Sequence, residues 1–284
     1  MRHRFVEENR YQYDVKDLCQ ALQVSRSGFY AARRRVPSAR LQQQAQLTKK
    51  IEAIHEASRQ TYGAPRVHAE LVAQGERCCR NTVAKLMRAA SIQPRCIRRF
   101  RTTTDSRGTV ASPNLVKRRF EVPRPNQCWL SDITYMPTQE GWLYLAAVLD
   151  LYSRALVGWA MSKTLDTRLA ISALEMAIQR RGRAPEILHS DQGSTYSAAE
   201  YRELLGRHGI RQSMSRKGDC WDNAPMESFF HTLKTEWVMH YSYRTRDQAR
   251  ASVFDYVEMF YNRERRHSTI NYEAPLAFEA MRAS

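Results

Sequence analysis

Eight consecutive apolar residues, Trp142-Leu143-Tyr144-Leu145-Ala146-Ala147-Val148-Leu149, constrain the fold more than any other stretch of the chain. The run is far shorter than a membrane span requires and suits a central strand of a sheet. Its surroundings extend that reading. Cys128 to Met136 is strand-like, and Asp150-Leu151-Tyr152-Ser153 turns the central strand into Ala155 to Met161, so three strands form an antiparallel meander. A helix over Thr167 to Arg181 stops at Gly182 and Pro185, and a short strand, Glu186 to Ser190, leads straight to Asp191. A helix over Ala198 to His208 and a strand around Ile210 to Ser213 follow. The order β-β-β-α-β-α-β-α predicts an α/β sandwich with a mixed sheet, one domain from about residue 126 to the C-terminus.

The last helix of that series starts in Gly218-Asp219-Cys220-Trp221-Asp222-Asn223-Ala224-Pro225. Asp222 or Asn223 can cap free amides there, and Pro225 falls in the first turn, where its missing N–H is harmless. Met226, Phe229, Phe230, Leu233 and Trp237 then recur at three- and four-residue steps and predict a core-facing stripe. Glu227, His231 and Lys234 form a second, charged stripe beside it.

Upstream of residue 126 the character is helical and basic. Residues 1–125 hold 26 Lys and Arg against 10 Asp and Glu, whereas residues 126–284 hold 19 of each, so the whole net charge of +16 lies in the first part. Segregation of this kind points to a polyanion, because neutralised phosphates release their condensed counterions. Within it, Tyr13 to Ala32 reads as two short helices around the turn Gln23-Val24-Ser25, with Val15, Leu18, Cys19 and Leu22 on one face and Phe29 and Tyr30 in the second helix. After a helix over Leu47 to Ala57 the pattern returns: Arg66 to Gln74, with Val67, Leu71 and Val72 inward, then Cys79 to Ala90, with Val83, Leu86 and Met87 inward. These are two candidate helix-turn-helix units, with Arg26 and Ser27 in the first and Asn81 and Lys85 in the second placed for DNA. Residues 96–125 read as a basic linker, so the expected division is 1–95, 96–125 and 126–284. No apolar run of 18 residues and no signal segment occurs, which predicts a cytoplasmic protein without membrane partners. The six cysteines lack zinc spacing and read as reduced bystanders.

Asp132 lies inside the first strand, where a carboxylate is costly unless paired. Asp191 follows the fourth strand, at the carboxyl edge where open α/β sheets place their sites. If those strands are neighbours the two carboxylates meet, and Glu227 can complete a cluster of hard oxygen ligands for Mg²⁺, with Mn²⁺ as a substitute. Two such ions about 3.5–4 Å apart would activate an oxygen nucleophile and stabilise the leaving oxygen of a phosphodiester. Asp150 is read as a turn residue, Asp219 and Asp222 as loop and cap residues, and Glu236 as the far end of the helix.

Trp129-x-x-Asp132-Ile133-Thr134-Tyr135, His189-Ser190-Asp191-Gln192-Gly193-Ser194 and Asp222-Asn223-Ala224-x-Met226-Glu227-Ser228-Phe229-Phe230, with 35 residues between Asp191 and Glu227, closely resemble the D-D-E core shared by retroviral integrases and bacterial insertion-sequence transposases. Tyr261-Asn262-x-x-Arg265-x-His267-Ser268 and Ala274-Pro275 are similar to that family's ending. Leu22-x-Val24-Ser25-Arg26-Ser27-Gly28-Phe29-Tyr30 and Tyr62-Gly63-x-Pro65-Arg66 resemble the second-frame product of the third insertion-sequence family. The resemblance implies a ribonuclease H-like core in which Asp132, Asp191 and Glu227 hold two Mg²⁺ ions and catalyse cleavage of element ends and transfer of the 3′-hydroxyl to target DNA. It also implies DNA contacts at Lys234 and at the loop around Arg216 and Lys217. Double-stranded DNA, further copies of the chain and a first-frame partner, joined by frameshifting, are the implied partners. The rival readings are a DNA-binding regulator and a structure-selective nuclease without strand transfer.

Overall fold

A computed structural model of the chain describes residues 2–34, 36, 38–95, 112–216 and 220–283. It forms two compact units, Met1–Glu52 and Ala53–Ser284.

The first unit holds helices α1 (Arg2–Asn9), α2 (Val15–Ala21) and α3 (Arg26–Arg34), and α4 (Ala39–Ala57) runs through the division. Asp14 caps α2 by accepting from the Lys16 amide at 3.3 Å, and Ser25 accepts from the Gly28 amide at 3.0 Å at the start of α3. The small core is Val6, Cys19 and Phe29, with Val15, Leu18, Leu22 and Val24 against it. The helix pair expected from the sequence is present. Ahead of that pair, α1 adds buried Val6, which completes the cluster. Of the two aromatics in the second helix of the pair, Phe29 is buried and Tyr30 is exposed.

The second unit opens with α5 (Ala64–Ala73) and α6 (Arg80–Ala89), which bury Val67, Leu71, Val83 and Met87. Val72, expected inward, is half exposed, because it lies off the stripe that Val67 and Leu71 define. The sheet follows: β1 (Cys128–Thr138), β2 (Gly141–Asp150), β3 (Leu156–Ser162), α7 (Thr167–Arg181), β4 (Ile187–Ser190), α8 (Ser194–Ser197), α9 (Ala199–Arg207), β5 (Arg211–Met214), α10 (Ala224–Glu236), α11 (Arg246–Phe254) and α12 (Pro275–Ala283). Strand order is β3-β2-β1-β4-β5, with the meander antiparallel and β1-β4-β5 parallel. This is the mixed five-stranded sheet with helices expected for a ribonuclease H-like core.

From Leu145 to Leu149 the apolar run of β2 is buried on both sides, so each sheet face needs a layer, while Trp142 at its start is exposed. On one face Trp129, Val148, Val157 and Leu188 pack with Leu169, Ala173 and Leu174 of α7 and Tyr201 and Leu204 of α9. There α7 lies so close to β3 that a Cβ on Gly158 would fall 2.3 Å from the Ala173 carbonyl. α10 packs on β1 and α11 on β2, and Met226, Phe229, Phe230, Leu233 and Trp237 are all buried, as their periodicity requires.

The expected boundary between residues 95 and 126 differs from the observed division at 52/53: α5 and α6 belong to the same compact unit as the sheet. Residues 96–111 of the expected linker lie outside the described residues. Its remainder packs on β5, with the Leu115 amide donating to Ser213 Oγ at 2.9 Å and the Ser112 hydroxyl to Gln212 Oε1 at 2.9 Å.

Candidate active site

β1 and β4 run parallel with Cys128 opposite Ile187 and Leu130 opposite His189. Continued by two residues, that register brings Asp132 level with Asp191, just beyond the last ladder pair. Across the antiparallel side Asp132 faces Ala147, one of two adjacent alanines in the central strand. Parallel neighbours at one level project to the same face. Two carboxylates 59 positions apart in sequence thus become neighbours through strand order.

Each carboxylate is held by a backbone amide of its own segment. Asp132 Oδ1 accepts from the Ile133 amide at 2.8 Å, and Asp191 Oδ1 from the Gly193 amide at 2.9 Å. A Cβ on Gly193 would approach that oxygen to 3.0 Å, so glycine keeps the turn open. Glu227 enters from the first turn of α10, which packs against β1.

Electrostatics join the three. Burial, then the charges of Asp191 and Glu227, push the Asp132 carboxyl up to about 8, against the pull of Lys234. Burial also raises Asp191, offset by the Gly193 amide, and burial raises Glu227. Hard oxygens on three elements that resist simultaneous ionisation are the donor chemistry a divalent cation satisfies. Among the described residues no three such side chains converge tightly enough to hold an ion between them.

Lys234, expected at the DNA, is buried, with Nζ 5.0 Å from the centre of the Tyr135 ring and its charge felt at Asp132. The apolar surroundings of the last turns of α10 place it there. Arg216 donates from Nε and Nη2 to Asp222, both at 3.1 Å. Lys217 lies outside the described residues. Arg26 and Ser27 on α3 and Asn81 and Lys85 on α6 are exposed. His231, on the charged stripe of α10, is exposed as well.

Asp222 is not a helix cap. Fully buried, it accepts from Asn114 Nδ2 at 2.8 Å, Arg118 Nε at 3.0 Å and the Arg216 amide at 3.0 Å, besides the Arg216 guanidinium. Those arginines hold its carboxyl far below the usual range. Next to Asp191, His189 is buried and bridges Ser213 Oγ at 2.8 Å and Ser215 Oγ at 3.2 Å; burial lowers it to about 4, so the ring is neutral. Gln192 Nε2 donates to the Ser215 carbonyl at 3.0 Å. The sequence reading assigns no such role to His189, Gln192 or Asp222. Their one signal is membership of the two acidic motifs.

Two family models described as "Integrase core domain" match residues 122–220 and 208–275, and one described as "HTH-like domain" matches residues 41–100. "Transposase InsF for insertion sequence IS3A" of Escherichia coli is 42% identical, over 98% of this chain and 98% of its own. The "Insertion element IS600 uncharacterized 31 kDa protein" of Shigella sonnei is 43% identical, over 92% of this chain and 97% of its own. Among solved structures, the catalytic core domain of HTLV-2 integrase in complex with magnesium is similar at 18% identity and a TM-score of 0.43, over 55% of this chain and 98% of that one. A simian T-cell lymphotropic virus intasome matches at 16% identity and a TM-score of 0.47, over 81% of this chain and 74% of that one.

Proposed function

The chain belongs to the insertion-sequence transposase family with an integrase catalytic core, a family of polynucleotidyl transferases acting in DNA transposition, and from that premise we propose that Asp132, Asp191 and Glu227 are its catalytic carboxylates. One observation carries the reading: Asp132 stands level with Asp191 on adjacent parallel strands and feels the charge of both Asp191 and Glu227. The integrase core family depends on divalent metal, and these three side chains would hold two Mg²⁺ ions, with Mn²⁺ as a substitute. When bound, such ions activate an oxygen nucleophile and stabilise a leaving oxygen at phosphorus.

The chain's own residues supply the rest. The Ile133 and Gly193 amides orient one oxygen of each aspartate, and the Lys234 ammonium offsets part of the negative charge beside Asp132. Exposed Arg26 and Ser27 on α3, and Asn81 and Lys85 on α6, bind the element's DNA, with Arg216 and Lys217 as further DNA contacts. Water as nucleophile frees a 3′-hydroxyl at the element end, and that hydroxyl as nucleophile joins the end to a target phosphodiester. Pairing two ends calls for several copies and for the first-frame partner or fusion. Among the described residues no helix is long and apolar enough to cross a membrane.

The test is incubation with labelled element-end DNA and Mg²⁺. Nicked and joined products are expected, and both disappear in Asp191→Asn while end binding remains. Nicking that persists in that variant defeats the assignment, and nicking without joining leaves a nuclease.

A further inference from the structure

Two motifs of the sequence are not used by the proposed metal and DNA chemistry: Tyr62-Gly63-x-Pro65-Arg66 and Tyr261-Asn262-x-x-Arg265-x-His267. The structure brings them together on one carboxylate, that of Glu236. Arg265 donates to it from Nη2 at 2.7 Å and from Nε at 2.8 Å, as a two-pronged fork. Arg66 Nη1 reaches the same carboxylate at 3.3 Å, and the Tyr256 hydroxyl donates at 3.3 Å. The centre of the network is closed from water, with Arg265 1% and Glu236 7% exposed, while Arg66 at its edge is half-buried.

The same residues grip α5 along its length. Arg66 Nε, in its first turn, donates to the Arg266 carbonyl at 3.0 Å, and Glu70, one turn later, pairs with the Arg266 guanidinium. Just before the helix, the Tyr62 hydroxyl accepts from the Arg266 amide at 2.7 Å and donates to the Glu264 carbonyl at 3.1 Å. α6 is tied to α5 by their shared apolar residues and by His68 Nε2 against the Cys78 carbonyl at 3.0 Å.

Glu236 is the last residue of α10, nine positions after Glu227. Nine residues are two and a half turns, about 13 Å, so the two carboxylates leave one rigid helix on opposite faces. Apolar contacts are non-directional, whereas forked guanidinium–carboxylate bonds fix an orientation. A buried ionic network is also an inefficient source of stability compared with apolar packing.

We propose that Arg66, Glu236 and Arg265 form a positioning clamp that locks the α5–α6 pair to the catalytic helix, so that DNA held by α6 presents one phosphodiester to Glu227. The clamp rests on the proposed DNA contacts of α6 and the proposed role of Glu227. It acts as a ruler, setting where the strand is cut rather than how tightly the end is held.

The test uses the full chain, labelled element-end DNA and Mg²⁺, with cuts mapped to single nucleotides under single-turnover conditions. Wild type is expected to cut at one phosphodiester. Arg66→Ala is expected to bind the end within about threefold of wild type. Its cuts spread to neighbouring phosphodiesters, and the rate at the original position drops by about a hundredfold, the scale set by ångström misplacement. Glu70→Gln leaves the buried network intact and is expected to spread the cuts less, which guards against an Arg66→Ala chain that does not fold. Cuts that stay at one position in both variants overturn the clamp, whether binding is kept or lost. A wild type that binds without cutting, or cutting that survives Asp191→Asn, overturns the transposase reading and the clamp resting on it.

Discussion

Glu227 and Glu236 sit on one helix, and their surroundings could hardly differ more. The charge of Glu227 is felt at another carboxylate, Asp132, which burial and the like charges of Asp191 and Glu227 push up to about 8. Around Glu236 two guanidiniums and a tyrosine hydroxyl satisfy a single carboxylate. Asp222 belongs with Glu236, buried and surrounded by Arg118, Arg216 and Asn114. Acids compensated within the chain position structure, whereas acids left uncompensated await charge from outside it. That contrast separates the catalytic from the positioning carboxylates more sharply than burial does, since Asp222 and Glu236 are the more deeply buried.

The largest effect expected on the uncompensated side is Asp191→Asn, which should lower joining of end DNA by at least about a thousandfold, ~4 kcal/mol of barrier. Unchanged activity in a joining assay would erase the distinction. On the compensated side, Glu236→Ala strands the buried guanidinium of Arg265 beside half-buried Arg66 and should cost about 3–5 kcal/mol in urea unfolding. A loss below about 1 kcal/mol would place Glu236 among ordinary surface acids.

The pH dependence has opposite signs on the two sides. Asp132 titrates higher folded than unfolded, so the metal-free protein is most stable below pH 4 on this account and loses that contribution as pH rises toward about 8. Asp132→Asn should flatten that slope and raise the melting temperature at pH 8 by about 3 °C. Added Mg²⁺ should stabilise wild type but not the variant. Asp222 titrates lower folded than unfolded, so its contribution is present above pH 4 and fades in acid; Asp222→Asn should remove that fading in acid-unfolding curves. The smallest effect concerns Lys85 on α6. Lys85→Ala should weaken end binding slightly and reduce the logarithmic salt slope by about 0.9. An unaltered slope would take α6 off the DNA and remove the object that the clamp positions.

Much of the fold was legible. Helix α7 falls where the sequence reading has it, because Asp166 caps it by accepting from the Leu169 amide at 3.1 Å and Gly182 ends it at φ 63°. The stripe of α10 likewise dictated burial through its periodicity, and the unbroken apolar run of β2 did so over Leu145 to Leu149. Helix α1 was illegible, since a single buried valine in a charged octet carries no period. Lys234 shows the same limit: a lysine on a charged stripe reads as exposed until β1 brings Tyr135 over it.

By itself the sequence determined the element types, the candidate carboxylates and the family, because periodicity, capping and motif spacing are local properties. Strand order was another matter: only the tertiary structure decided that β1 and β4 are neighbours and so that Asp132 meets Asp191. Long-range pairing also decided which acids are compensated. Arg66 and Glu236 stand 170 positions apart, and Arg118 and Asp222 104. A charge's partner depends on which chain segments the core brings together, and no local pattern encodes that.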